Sequence, residues 1–146
     1  MNKKVFSVLA TCCLAVIAAT TARAQMPGTE IRARIPFDFS VRGKTLPAGI
    51  YEIKRVMDGP ETLTISNVND KHDRATFETQ SAGETPRHSE LVFHRYGDNY
   101  FLFEVFAGGR ETGRELPETR QERVLQREMA SNGNNTRPET VALAAY

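Results

Sequence analysis

The sequence predicts a mainly β fold: an antiparallel β-sandwich or partly closed β-barrel of about seven strands with one C-terminal α-helix. Three observations lead there. From Thr29 to Val41 the apolar residues Ile31, Ala33, Ile35, Phe37, Phe39 and Val41 take odd positions, while Glu30, Arg32, Arg34, Asp38 and Ser40 take even ones, a period of two. Short strand-like runs separated by turn residues follow at close spacing. Beyond Pro117 the pattern changes to that of a helix.

Taken in order, the first run reads as one long strand or two in series, bent at Pro36, whose missing N–H places it at a sheet edge or corner. Leu46-Pro47-Ala48-Gly49 has Pro and Gly where a type I turn wants them, and Tyr51 and Ile53 then share one face of a strand. After a break at Asp58-Gly59-Pro60, the runs around Leu63 and Ile65 and around Ala75 and Phe77 read as two hairpin-connected strands. A polar loop around Gly83 and Pro86 precedes the hairpin Leu91 to Phe106, and a Gly-rich connection, Ala107 to Arg110, follows it. The helix is expected over about 117–131, with Thr119 and Glu122 as a capping box, a narrow stripe of Val124, Leu125 and Met129, and Asn132-Gly133 as its stop. Like charges four apart, Glu118/Glu122 and Arg123/Arg127, oppose an isolated helix, so its stability must come from docking on the sheet. Residues 132–146 lack sustained periodicity and are expected to form a flexible tail.

The N-terminal 24 residues have the form of a secretory signal: Lys3 and Lys4, an apolar run from Val5 to Ala19, and the small-x-small site Ala22-Arg23-Ala24. Cleavage after Ala24 would leave a single β domain, residues 25–131 with its helix, plus the tail, secreted or periplasmic. Cys12 fits lipid anchoring poorly, because only about six apolar or small residues precede it where a signal core needs roughly 7–15. Both cysteines, Cys12 and Cys13, lie in the leader, so the exported part has neither disulfide nor thiolate nucleophile. It holds 16 basic and 18 acidic residues, a balance that speaks against nucleic acid as a partner. No later run is long enough to span a membrane as a helix.

Candidate chemistry concentrates in "LVFHRYGDNYFLFEVF", where His94, Arg95, Tyr96 and Asp98 lie close together. Two registers compete. A two-residue Gly97-Asp98 loop of type II′ pairs Tyr96 with Asn99 and His94 with Phe101. A three-residue loop with Asn99 left-handed pairs Tyr96 with Tyr100 and His94 with Leu102. The second is preferred, because it gathers Leu91, Phe93, Phe101, Phe103 and Val105 on one face and sets His94, Tyr96, Tyr100 and Leu102 on the other with Val92 and Glu104. No nucleophile stands beside His94, and an aromatic cross-strand patch explains the same residues.

The remaining motifs assign no catalytic, cofactor-binding or metal residue. Asp70, His72 and Asp73, even with His88, match neither zinc nor calcium spacing. Glu111, Glu115 and Glu118 could pair for glycoside hydrolysis only in a Gly-rich loop and a helix start, and the chain has no Trp to stack a sugar. Ala107-Gly108-Gly109-Arg110 lacks the residues of a phosphate cradle. Asn134-Asn135-Thr136 matches a glycosylation triplet and carries no weight without knowledge of the cell type.

"IPFDFSVRGKTLPAGIYEI", "LVFHRYGDNYFLFEV" and "RELPETRQERVL" together resemble a group of short secreted bacterial proteins of unknown function, which share an F-x-F-x-V strand, an L-P-A-G-x-Y turn and strand, and an E-L-P helix start. The resemblance covers nearly all of Ile35 to Leu125 and implies a small exported β domain, with no activity to transfer. The leading functional expectation is a non-enzymatic binding or structural module for an unknown protein or small-molecule ligand. The alternatives are a small apolar-ligand carrier with a barrel pocket lined by Phe93, Phe101 and Phe103, and a hydrolase centred on His94. No cofactor is expected in any of them.

Overall fold

The alternating run at Thr29–Val41 is two strands that belong to two different sheets. The computed structural model describes residues 29–56, 61–133 and 137–146. The signal sequence with Cys12, the Asp58-Gly59-Pro60 break and the Asn134 to Thr136 triplet lie outside the described residues.

Eleven strands and one helix are present among the described residues, against the seven strands expected: β1 (Thr29–Ile35), β2 (Phe39–Val41), β3 (Lys44–Leu46), β4 (Gly49–Arg55), β5 (Thr62–Asn67), β6 (Arg74–Glu78), β7 (Gln80–Glu84), β8 (Glu90–Tyr96), β9 (Asn99–Phe106), β10 (Thr112–Glu115), α1 (Arg120–Ser131) and β11 (Glu139–Ala144). The first sheet has the order β1-β4-β5-β6. The second runs β11-β8-β9-β10-β7, with β2 and β3 attached beside β9. Neither sheet closes on itself, so the fold is a sandwich and not a barrel.

The chain changes sheets at two neighbouring corners. Pro36 to Asp38 carries it from β1 to β2, and Pro47-Ala48 returns it from β3 to β4. The corners are tied to each other, because the Ala48 amide donates to Asp38 Oδ1 at 2.8 Å. Tyr51, fully buried, then donates its phenol to the Pro47 carbonyl at 2.7 Å, a bond of the tyrosine-corner kind. Gly49 is required between them: a Cβ there would lie 2.9 Å from the Asn67 amide, whose Oδ1 holds the amides of Asn69 and Asp70. So the L-P-A-G-x-Y element is a structural corner.

The odd-numbered residues predicted for the core face are there: Ile31, Ala33, Ile35, Phe39 and Val41 are buried, and Phe37 is half-buried. Across the first sheet they continue through Tyr51, Ile53, Leu63, Ile65 and Phe77. The second sheet contributes Leu91, Phe93, Leu102 and Val105. Phe39 joins the two layers, edge-on to Tyr51 at 5.1 Å and to Phe93 at 5.6 Å.

A third change of sheet separates β6 from β7 at Thr79, whose amide and hydroxyl both donate to the Glu61 carbonyl. The expected polar loop at Gly83 is partly strand, because β7 pairs with β10, whereas the Gly-rich connection Ala107 to Arg110 contains no strand and leads into β10. Gly113 of β10 is buried under Phe106, where a side chain would not fit.

The expected flexible tail is also corrected. β11 pairs antiparallel with β8, with Val141, Leu143 and Ala145 packed against the core. Arg95 meets Glu139 across the pair at 3.2 Å. Tyr146 exchanges two backbone bonds with Arg32 of β1, so this segment closes an edge of each sheet. Its alternation is short and relies on alanines, which pack weakly until a partner edge exists.

Two outcomes follow from this packing. Tyr51→Phe should cost about 1 kcal/mol at neutral pH in denaturant unfolding, since the Pro47 carbonyl loses its donor. Burial pushes the Tyr51 phenol up to about 12, from an ordinary value of 10.0. The unfolded chain therefore ionises first, wild-type stability falls as pH rises from 10 towards 12, and the gap to the Phe variant should narrow over that window. Gly113→Ala drives a methyl into the Phe106 ring and should destabilise by about 1–3 kcal/mol, with partial recovery in the double variant carrying Phe106→Leu.

Candidate functional site

The β8–β9 hairpin contains both competing registers, one on each side of a β-bulge. Near the turn Tyr96 pairs with Asn99, Arg95 with Tyr100, His94 with Phe101 and Phe93 with Leu102. Beyond the bulge Val92 pairs with Glu104 and Leu91 with Val105. Gly97 is left-handed with φ 61° and Asp98 and Asn99 are not, which is the two-residue loop with glycine first. The preferred register therefore holds only at the far end of the hairpin. Phe103 is the extra residue, and bulging it out allows Leu102 and Val105 both to face the core.

The faces are corrected accordingly. Phe93 and Tyr100 lie on the inner side with Phe37, which stacks on Tyr100 at 3.8 Å and meets Phe93 edge-on at 5.3 Å. The Arg95 guanidinium sits 5.5 Å from the Tyr100 ring centre. His94, Tyr96, Phe101 and Phe103 lie together on the outer side. Phe93, Phe101 and Phe103 are thus divided between two faces and do not line one cavity.

α1 covers this outer aromatic patch. The capping box forms as expected: Glu122 N donates to Thr119 Oγ1 at 3.2 Å, and Thr119 N donates to Glu122 Oε2 at 2.7 Å. Capping draws the Glu122 carboxylate inward, where it is only 4% exposed. Its other oxygen, Oε1, lies 3.8 Å from His94 Nδ1, too long for a hydrogen bond. One turn on, Gln126 Nε2 donates to the Tyr96 hydroxyl at 2.7 Å and to Glu118 Oε1. The helix faces the sheet with Glu122, Leu125, Gln126 and Met129, while Val124, expected in the apolar stripe, is 43% exposed. The expectation that the helix depends on docking agrees with these contacts.

The candidate acid–base groups are thereby committed to packing. The His94 ring stacks on Phe103 at 3.8 Å, with Tyr96 edge-on to it. Burial pushes the Tyr96 phenol up, so it stays protonated through neutral pH. No serine or threonine hydroxyl is bonded to His94 among the described residues. Glu104 stands on the strand paired with Glu115, and burial, with Glu115 as the second cause, holds its carboxyl above the ordinary 4.5.

The other candidates are dispersed. Glu115 accepts from Gln80 at 3.2 Å, Glu118 is held by Gln126, and Glu111 is an exposed residue ahead of β10. Asp70 Oδ1 accepts from the His72 amide at 2.9 Å, closing the β5–β6 turn, and Lys44 caps the His72 and Arg74 carbonyls. Gly108 N donates to Ser89 Oγ, and the Arg110 amide turns back to Ala107.

Beside the helix start lies an open cleft of about 620 Å³, bounded by α1 and the β2–β3 turn. Arg42 and Gly43 form that turn with φ 51° and 86°, both left-handed, as a type I′ turn requires. Arg42, Arg120 and Arg123 line the cleft with Glu118, Thr119 and Val124. Sequence reading passed over Arg42 and Gln126. An Arg-Gly pair joining two strands was a usable signal for the first, and the four-residue spacing from Glu122 for the second.

Compared with known proteins, the chain matches no protein-family model, no curated protein and no solved structure.

The Glu104 environment sets a pH dependence. The folded state retains its proton above the pH where the unfolded chain loses it, so Glu104 weakens the fold progressively as pH rises from 4.5 through its raised value. Glu104→Gln should be more stable than wild type by about 0.5 kcal/mol at pH 7, as for like charges facing across a strand pair, with no difference below pH 4. A difference of the opposite sign in thermal unfolding would contradict this account.

Proposed function

We propose that this chain is a non-enzymatic exported binding module whose working surface is the face carrying α1. The observation that supports this reading most is the use made of the polar groups on β8. His94 is stacked on Phe103 beneath Glu122, and the Tyr96 hydroxyl is taken by Gln126. Together with the capping box, these groups seat the helix, and the seated helix walls one side of an open cleft. Export is part of the proposal and rests on the form of residues 1–24.

His94→Phe tests the reading, because it keeps the stack on Phe103 and removes both ring nitrogens. The variant should fold with stability within about 1 kcal/mol of wild type and keep whatever binding the wild type shows. Ester, amide and glycoside substrates should show no turnover that depends on His94. Turnover by wild type that is lost in a folded His94→Phe protein would establish the hydrolase instead.

A further inference from the structure

We propose that the cleft between the β2–β3 turn and α1 binds a small polyanion bearing carboxylate or phosphate groups, an inference that rests on the binding-module reading. Three arginines, Arg42 on one side and Arg120 and Arg123 on the other, line a space of about 620 Å³. That size lies within the range of small-molecule sites. None of the three has a hydrogen-bond or ion-pair partner for its side chain among the described residues, whereas Arg32 and Arg95 on the strands are paired with Glu52 and Glu139. Glu118 is the single carboxylate on the lining, and Gln126 holds it, leaving an excess of positive charge. The capping box occupies the Thr119 and Glu122 amides, so the attraction comes from the arginines and not from the helix end. Arginine is the side chain suited to this chemistry, because its planar fork meets carboxylate and phosphate oxygens two at a time.

Arg42 also stands at a position that glycine or asparagine would fill more easily, since φ is 51° there. Arg42→Gly therefore separates folding from binding. Citrate and pyrophosphate, as carboxylate and phosphate probes, are titrated into the purified protein at low salt by calorimetry and by amide chemical shifts. Saturable binding of at least one is expected, weakening with added salt, with the shifts gathered at residues 42–43 and 118–124. Arg42→Gly should unfold at the same or a higher temperature yet bind about tenfold more weakly, as should Arg120→Gln, an effect of one charged hydrogen-bonding group. Lys54→Gln, which removes a positive charge from the outer face of the other sheet, should leave affinity unchanged. Absence of saturable binding, or equal weakening by Lys54→Gln, overturns the polyanion site. Either result would leave the non-enzymatic reading to be decided by the His94→Phe assay.

Discussion

The bond from the Ala48 amide to Asp38 ties together two of the three places where the chain passes between sheets, and most of the sandwich is arranged around that tie. A strand hydrophobic on one face can be buried only if its neighbour in sequence is sent to the correct layer. Here β1 and β4 are adjacent in the first sheet although β2 and β3 of the second lie between them in the chain. Both crossings must keep their positions for Ile35, Phe39, Leu46 and Tyr51 to meet in one core. Proline restricts each corner, Asp38 joins them, and the Tyr51 phenol fixes the outgoing strand to the carbonyl it has just left.

Features encoded over a few residues were legible in the sequence. The period-two run, the bend at Pro36 and the capping box of Thr119 and Glu122 each depend on neighbours within one or two turns or pleats. β7, β10 and β11 were not legible because their residues are polar, glycine-rich or alanine-rich. They become strands when another strand offers them a ladder. The β8–β9 hairpin shows a different limit. Each register satisfies half of the apolar residues, and the chain uses both by inserting Phe103 as a bulge, a solution that a choice between two uniform registers excludes.

The same bulge determines what the candidate site can be. With Phe101 and Phe103 outside, the second sheet has an apolar outer patch that water would otherwise cover, and α1 is the element within reach. His94 and Tyr96 share that patch, so side chains that look catalytic in a string of letters become the polar margin of a helix–sheet contact. Arg42 was hidden for the opposite reason: nothing in its neighbourhood in sequence indicates that a helix nearly eighty residues later will face it.

The pairing of Tyr146 with Arg32 has a consequence for the order of events in folding. These partners are more than a hundred residues apart, which is the kind of contact that slows assembly most. Whether the chain leaves a ribosome or a translocation pore, β1 and β8 keep bare hydrogen-bonding edges until residues 139–146 have emerged. The sandwich is therefore completed only once β11 is available, and in the interval before it the nascent protein carries two open templates for pairing with other chains.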